Sequence, residues 1–310
     1  MRENPRGSVV VGTDDAGSRL DTFVSEQTGL SRNRVQKLIG EGLVLVDGEP
    51  ARKHHTLARG EAISWEIPPA VDDDVLPQEI PLQVVFEDDH LVVVDKPANM
   101  VMYPGPGHSG ETLLNALMSH YPDISGVGGK GRSGIFHRLD KGTSGLVAVA
   151  RSQKAYLAMV EKMKNRLVER TYLALVVGSI PTDAGTIDAP LGRSRGNRKR
   201  MSVDQVTGRP ALSRFKVVER FAGDFTFVQV SLETGRTHQI RVHFTHIGHP
   251  VAGDPEYSRG KSTRQLGLDR QFLHAYRLEF EHPFTGEALH FESRLPGDLE
   301  EVLAKLRMRS

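Results

Sequence analysis

The sequence predicts an α+β protein in two parts, and three observations lead there. Two helical patterns and a hairpin signal crowd into residues 18–69. A stretch rich in Pro and Asp, residues 70–80, reads as a linker. Beyond it, from 81 to 310, short apolar runs of strand type dominate, with helical spacing in between and no internal repeat. A chain of 310 residues has room for one large domain or a large and a small one.

Residues 1–17 read as a flexible tail. From Ser18 the spacing becomes helical, with Leu20, Phe23 and Val24 on one face. Ser31 stands as the N-cap of a second helix that turns Val35, Leu38 and Ile39 inward, and Gly40 and Gly42 close it. Residues 43–46 run into Asp47-Gly48, a strong two-residue hairpin signal. Arg32, Arg34 and Lys37 lie on the outer face of the second helix, with Lys53, His54 and His55 beyond the hairpin. Past the linker, residues 84–97 form two apolar strands around an acidic turn, and 146–150 is a buried strand entered from a Gly-Thr-Ser-Gly turn. Helical spacing returns over 154–166, a buried strand over 170–178, a basic loop over 191–203, and alternating strands over 211–215 and 225–232.

Hydrophobic residues make up 38% and charged residues 25%, ordinary values for a globular protein. No apolar run reaches the ~18 residues of a membrane helix, and the N-terminus lacks the apolar core of a signal peptide, which together imply a cytoplasmic protein. Without cysteine there are no disulfides and no thiolate metal sites. The net charge of +1 conceals a cluster, Arg193, Arg195, Arg198, Lys199 and Arg200, that suits a phosphate-bearing partner better than a membrane surface.

The stretch His137-Arg138-Leu139-Asp140-Lys141-Gly142-Thr143-Ser144-Gly145 puts one carboxylate between two cations on a loop entering a core strand. Such a carboxylate is rigidly held with its tip open to a ligand. The run resembles the signature of the RluA/RluD-type pseudouridine synthases. Lys96-Pro97 through Tyr103-Pro104 is similar to that family's first motif, although the family usually has His where Tyr103 stands. Leu232-Glu233-Thr234-Gly235-Arg236-Thr237-His238-Gln239-Ile240-Arg241-Val242-His243 resembles its third. The unit from about Arg19 to Pro68 is similar to the small RNA-binding module first named for a small-subunit ribosomal protein.

The resemblance implies a long, mixed, mainly antiparallel bent sheet with flanking helices and a central cleft, tethered to the small N-terminal module. It implies that Asp140 is the catalytic nucleophile, that Tyr172 stacks on the target base, and that Arg236 is the basic partner keeping Asp140 ionised. Arg138 would fill the gap left in the RNA. Lys141 with Arg193, Arg198, Lys199 and Arg200 would hold phosphates, as would Arg32, Arg34 and Lys37 on the small module. The implied reaction is isomerisation of uridine to pseudouridine in large-subunit ribosomal RNA; transfer RNA, or RNA binding without chemistry, are the alternatives.

The reaction needs no redox or group donor, and no cofactor motif survives inspection. Gly126–Gly131 fits G-x-G-x-x-G but lacks a strand before it and a helix after it. His243, His246 and His249 share a spacing of three, yet Gly248 and Pro250 interrupt any helix there. Gly260-Lys261-Ser262 lacks the first glycine of a phosphate loop, and Ser144 is not in a nucleophile elbow.

Overall fold

The structure, a computed structural model, describes all residues except 1–5, 31, 53, 68–74, 106–107, 130–132, 195, 198–199, 222–224, 259–265 and 310, and the side chains at 33, 34 and 37. The sequence features at Ser31, Lys53, Arg195, Arg198, Lys199 and Gly260-Lys261-Ser262 therefore lie outside the described residues, as do the Arg34 and Lys37 side chains. The chain forms two compact units, Met1–Asp74 and Val75–Ser310.

The first unit runs β1 (Arg6–Val10), α1 (Leu20–Thr28), α2 (Arg32–Gly40), β2 (Val44–Val46), β3 (Glu49–Pro50) and β4 (Ala62–Glu66), with its antiparallel sheet in the order β1-β4-β2-β3. The helices form because Leu20, Phe23, Val24, Val35, Leu38 and Ile39 recur on one face, and all six are buried together with Val44 and Ile63. Gly42, at φ +74°, ends the second helix in the left-handed conformation that favours glycine. Asp47 and Gly48 both have positive φ, 51° and 85°, and join β2 to β3 as a tight turn whose twist suits the strands. One expectation is corrected here. Residues 6–10 are not part of a loose tail but pair with β4, Val9 opposite Ile63.

The second unit continues with β5 (Gln83–Glu87), β6 (Leu91–Lys96), α3 (Leu113–His120), β7 (Ser144–Ala150), α4 (Gln153–Lys164), β8 (Val168–Val177), β9 (Ala184–Asp188), β10 (Leu191–Arg193), β11 (Met201–Val203), β12 (Leu212–Phe221), β13 (Phe225–Leu232), α5 (Gln239–His246), β14 (Leu273–Glu281) and β15 (Ala288–Glu292), and then a C-terminal helix, Gly297–Arg307. Its main sheet is ordered β5-β6-β7-β14-β8-β13-β12-β9, with β15 beside β14. Among the described residues only its β7–β14 pairing is parallel. This is the mixed, mainly antiparallel sheet that was expected.

Two further differences from the sequence reading have physical causes. The segment 75–80 packs on the second unit instead of linking freely: Val75 lies against its core, and Asn115 Nδ2 donates to Leu76 O at 2.8 Å. The basic loop 191–203 closes into a two-stranded ribbon, β10 with β11, because Leu191 and Val203 pair over an apolar cluster containing Val242.

One sheet face carries the cluster that matters for function. Val92, Val94, Val147, Val149, Tyr172, Ala174, Val176, Val228 and Val230 point to it from the strands, and α3 and α5 cover it. Ile240 and Phe244 fix α5 there, each burial contributing about 1.5–3 kcal/mol. Among the described residues no helix is long and apolar enough to cross a membrane.

Candidate active site

Asp140 stands at the start of the turn that leads into β7, a strand buried along its whole length. The turn is pinned from several sides. Arg270 Nη1 donates to Gly142 O at 3.1 Å, and Gln271 Nε2 donates to Thr143 Oγ1 at 3.0 Å. Ser144 Oγ lies 3.0 Å from His274 Nδ1. Gly145 has φ +111°, and a Cβ there would sit 2.3 Å from Ala275 O, so only glycine fits. Beneath the turn, Lys96 Nζ donates to the carbonyls of Pro97, Met100 and Lys141 at 2.8, 2.9 and 3.4 Å. Burial pulls the Lys96 ammonium down to about 7, with Arg270 adding to this and Asp140 and Asp95 opposing it.

The Asp140 side chain is 15% exposed and its Oδ2 accepts from Arg241 Nη1 at 3.1 Å. The cationic partner is therefore Arg241, not Arg236 as the motif suggested. Arg236 precedes α5 and turns its Nε to Pro210 O at 3.2 Å, whereas Arg241 lies inside α5 with its side chain only 3% exposed. Asp254 holds Arg241 in place with two bonds, 2.7 and 2.9 Å, and Glu256 adds a third at 3.1 Å. Burial by itself would lower the Arg241 pKa; the bonds and charge of Asp254, with Asp140 and Glu256, outweigh it and hold the pKa above the ordinary value. Arg241 is thus a fixed positive charge at every pH the protein meets.

His238 faces the same carboxylate. Its φ of 58° marks the left-handed entry to α5, and its Nε2 is 4.0 Å from Asp140 Oδ2. Burial lowers its pKa against the pull of Asp140. On the other side His238 Nδ1 lies 2.9 Å from Tyr257 Oη, and Tyr257 also bonds Met201 of β11 and carries Arg200 over its ring at 4.7 Å.

These groups open into a cavity of about 630 Å³ lined by Arg138, Asp140, Arg166, Arg170, Tyr172, Arg236 and Arg241, among others. That volume is in the ~300–1,000 Å³ range of small-ligand sites, enough for one nucleoside. Tyr172 is 6% exposed, and burial raises its pKa above the ordinary tyrosine value, so it stays neutral. The structure thus brings Asp140, Tyr172, Arg138 and Arg236 to one cavity.

The expected phosphate contacts are more scattered. Lys141 is exposed, with its Nζ 3.3 Å from His108 Nε2. Arg193 is exposed at the end of β10, while Arg200 is partly covered on Tyr257. Arg32 gives one bond, 3.1 Å, to Asp21 and is otherwise half exposed. Tyr103, where a His was the family pattern, packs against the core, its hydroxyl 3.5 Å from Ile135 O. His243 is engaged at both ring nitrogens, by Ser213 Oγ at 2.9 Å and Ala189 O at 3.0 Å.

Comparison with known proteins identifies the family. The sequence model described as RNA pseudouridylate synthase matches residues 90–246, and the S4 domain model matches 18–63. An uncharacterized RNA pseudouridine synthase of Bacillus subtilis is 42% identical over 96% of this chain and 97% of its own length. The ribosomal large subunit pseudouridine synthase D of Nitrosomonas europaea is 44% identical over 94% of this chain and 85% of its own. Among solved structures, human RNA pseudouridylate synthase domain containing 1 superposes with a TM-score of 0.55 at 26% identity, over 77% of this chain and 97% of that one.

Proposed function

This chain belongs to the RNA pseudouridylate synthase family, and we propose that it converts uridines of large-subunit ribosomal RNA to pseudouridine with Asp140 as the reacting carboxylate. The observation that carries the assignment of Asp140 is its setting: a carboxylate bonded by Arg241 at 3.1 Å that lines a nucleoside-sized cavity together with Tyr172. The ribosomal substrate is supported by relatives named for the large subunit and by an N-terminal unit of the S4 type. A ribosomal substrate also places the enzyme in the cytoplasm, where it would meet pre-ribosomal particles.

The chemistry follows from the charges. The target base is inaccessible in a stack and is flipped into the cavity at a cost of a few kcal/mol. Tyr172, neutral and buried, offers its ring as the stacking surface. Arg241 favours the charged form of Asp140 and aims it. The ionised carboxylate either attacks C1′ or takes the C2′ proton, and the N1–C1′ bond breaks. Held in the cavity, the detached uracil turns and rejoins through C5. Arg138, exposed at the rim, is suited to enter the gap left in the RNA. The S4-type unit and the exposed Arg193 and Lys141 supply phosphate contacts that set affinity and its salt dependence.

The test is pseudouridine mapping of total RNA from cells lacking the gene and restored with wild type or Asp140→Asn. Loss of defined large-subunit sites, returned by wild type alone, is the expected result. Loss confined to transfer RNA would move the substrate, and rescue by Asp140→Asn would remove the carboxylate from the mechanism.

A further inference from the structure

The cavity wall holds two buried hydrogen-bond donors with no acceptor among the described residues, Arg170 Nε and His137 Nδ1. Both side chains line the cavity and both residues are 8% exposed. Arg170 precedes Tyr172 by two residues in β8, which puts the two on the same face of the strand. Among the described residues its one hydrogen bond is long, 3.4 Å from Nη2 to Leu232 O, and no carboxylate lies within ion-pair distance of it. A guanidinium keeps its charge even where burial works against it, so this is an uncompensated cation. Its seat is reserved by Gly235, where a Cβ would come within 2.6 Å of Arg170 Nη1.

His137 complements it. Ala148 N–H donates to His137 Nε2 at 2.9 Å, so Nε2 carries the lone pair. Burial, and then the Arg170 charge, push this imidazole down to about 3, so it is neutral and its single proton is on Nδ1. The wall therefore holds one unpaired N–H of a neutral ring and one of a cation, both atoms buried in residues that line the cavity. Unpaired buried donors are rare in folded proteins, and each calls for an explanation, a role in catalysis among them. The Tyr172 hydroxyl senses the Arg170 cation and the Asp140 anion, in that order of strength after burial, so the tyrosine feels opposite charges within one cavity.

We infer that Arg170 and His137 bind a carbonyl oxygen of the flipped uracil and take up the negative charge that gathers on the base as the glycosidic bond breaks. This rests on the reading that the cavity receives a uridine. In that step the N1–C1′ bond breaks and its electron pair leaves with the base, giving a uracil anion shared by N1, O2 and O4. C1′ is either bonded to an Asp140 oxygen or, with the C2′ proton on Asp140, doubly bonded to C2′. When C5 bonds to C1′, the Asp140–C1′ bond breaks or, on the other route, Asp140 returns its proton to C2′; C5 then loses its proton and N1 gains one, so the product is an isomer of the substrate. An Arg170–His137 pair fixed before the reaction stabilises the anion without reorganising. Burial in the wall favours a base oxygen over a backbone phosphate as the acceptor.

The experiment measures the single-turnover loss of the target nucleoside, by the full chain, from an RNA fragment carrying either uridine or 5-fluorouridine, with nucleosides separated after digestion. The fluorinated base has no C5 proton to lose, so consumption of 5-fluorouridine is what is read for it. Fluorine makes uracil a better leaving anion, so a residue that stabilises that anion matters less for it. Arg170→Met is expected to slow the uridine substrate by ~10²–10³ while RNA affinity stays within a few-fold. The loss on 5-fluorouridine should be clearly smaller, and Arg170→Lys should recover part of the rate. If Arg170→Met does not fold, Gly235→Ala, which unseats the guanidinium and keeps its charge, carries the same comparison. A wild-type rate in Arg170→Met, or an equal loss on both substrates with weakened affinity, as a phosphate contact would give, overturns the inference. A wild-type enzyme inactive on every RNA tested would overturn the proposed function itself, and would show in the control before any variant is measured.

Discussion

Each unit of the molecule sets an aspartate against arginine, and the two arrangements differ in how much bonding capacity is left over. In the N-terminal unit the Asp21 side chain is fully buried and accepts from Arg19 twice, at 2.9 and 3.0 Å, from Arg32 at 3.1 Å and from Gln36 at 2.6 Å. The bond from Arg19 leads in holding its carboxyl far below the usual carboxylate range. In the second unit Asp140 accepts one bond from one arginine and keeps 15% of its side chain open. A carboxylate with four bonds is finished and has nothing to offer a substrate. One with a single bond remains a base and a nucleophile, and the surplus of bonding has moved to the arginine, which Asp254 and Glu256 hold. Ion pairing alone does not mark a reactive carboxylate; the bonds it lacks do.

Breaking the pairs should expose that contrast, beginning with the largest effect. Arg241→Met leaves Asp140, Asp254 and Glu256 without their shared cation, and stability should fall by roughly 3–5 kcal/mol in urea unfolding, together with most turnover. Asp21→Asn should lower the stability of the N-terminal unit by about 1.5–3 kcal/mol. It should weaken RNA binding in a filter assay while leaving the rate at saturating RNA unchanged. A fall in that saturated rate would erase the distinction between a structural and a reactive aspartate.

Acid should separate the two regions as well. His137 is held near 3 by burial while a free imidazole titrates near 6.5, so between those values the unfolded chain binds the extra proton. Stability therefore drops as pH falls through that window, by up to about 1.4 kcal/mol per pH unit, and His137→Gln should remove that slope from the unfolding midpoints. The Asp21 contribution is fully present above the ordinary carboxyl value of 3.8 and is lost only as pH falls below it. At the small end, Arg6→Ala breaks a pair whose arginine is 76% exposed and should shift stability by less than about 0.5 kcal/mol.

The sequence made some of this legible and hid the rest for physical reasons. The Asp47-Gly48 turn, the helical faces of the small unit and the apolar strands β6, β7 and β8 were readable because each is set by local chemistry: backbone φ, period, or burial on both sides. β1 was not, since an edge strand with one polar face reads like a tail until β4 is beside it. At the site, motifs singled out Asp140 and Tyr172, and both line one cavity. Choosing between Arg236 and Arg241 was not possible, because the bond to Asp140 spans 101 residues and depends on where α5 begins. The Arg170–His137 pair was equally hidden, since unmet hydrogen bonds become visible only once the neighbours are in place.

The account stands most directly on the single-turnover rate of purified Asp140→Asn on a large-subunit ribosomal RNA fragment, read beside wild type and Asp21→Asn. The substitution keeps shape and one hydrogen-bond acceptor but removes the charge proposed to attack or deprotonate the ribose. Pseudouridine should form at the wild-type rate with Asp21→Asn at saturating RNA and be undetectable with Asp140→Asn, which should still bind the RNA within a few-fold of wild type. Pseudouridine formed by Asp140→Asn at an appreciable fraction of the wild-type rate would contradict the account.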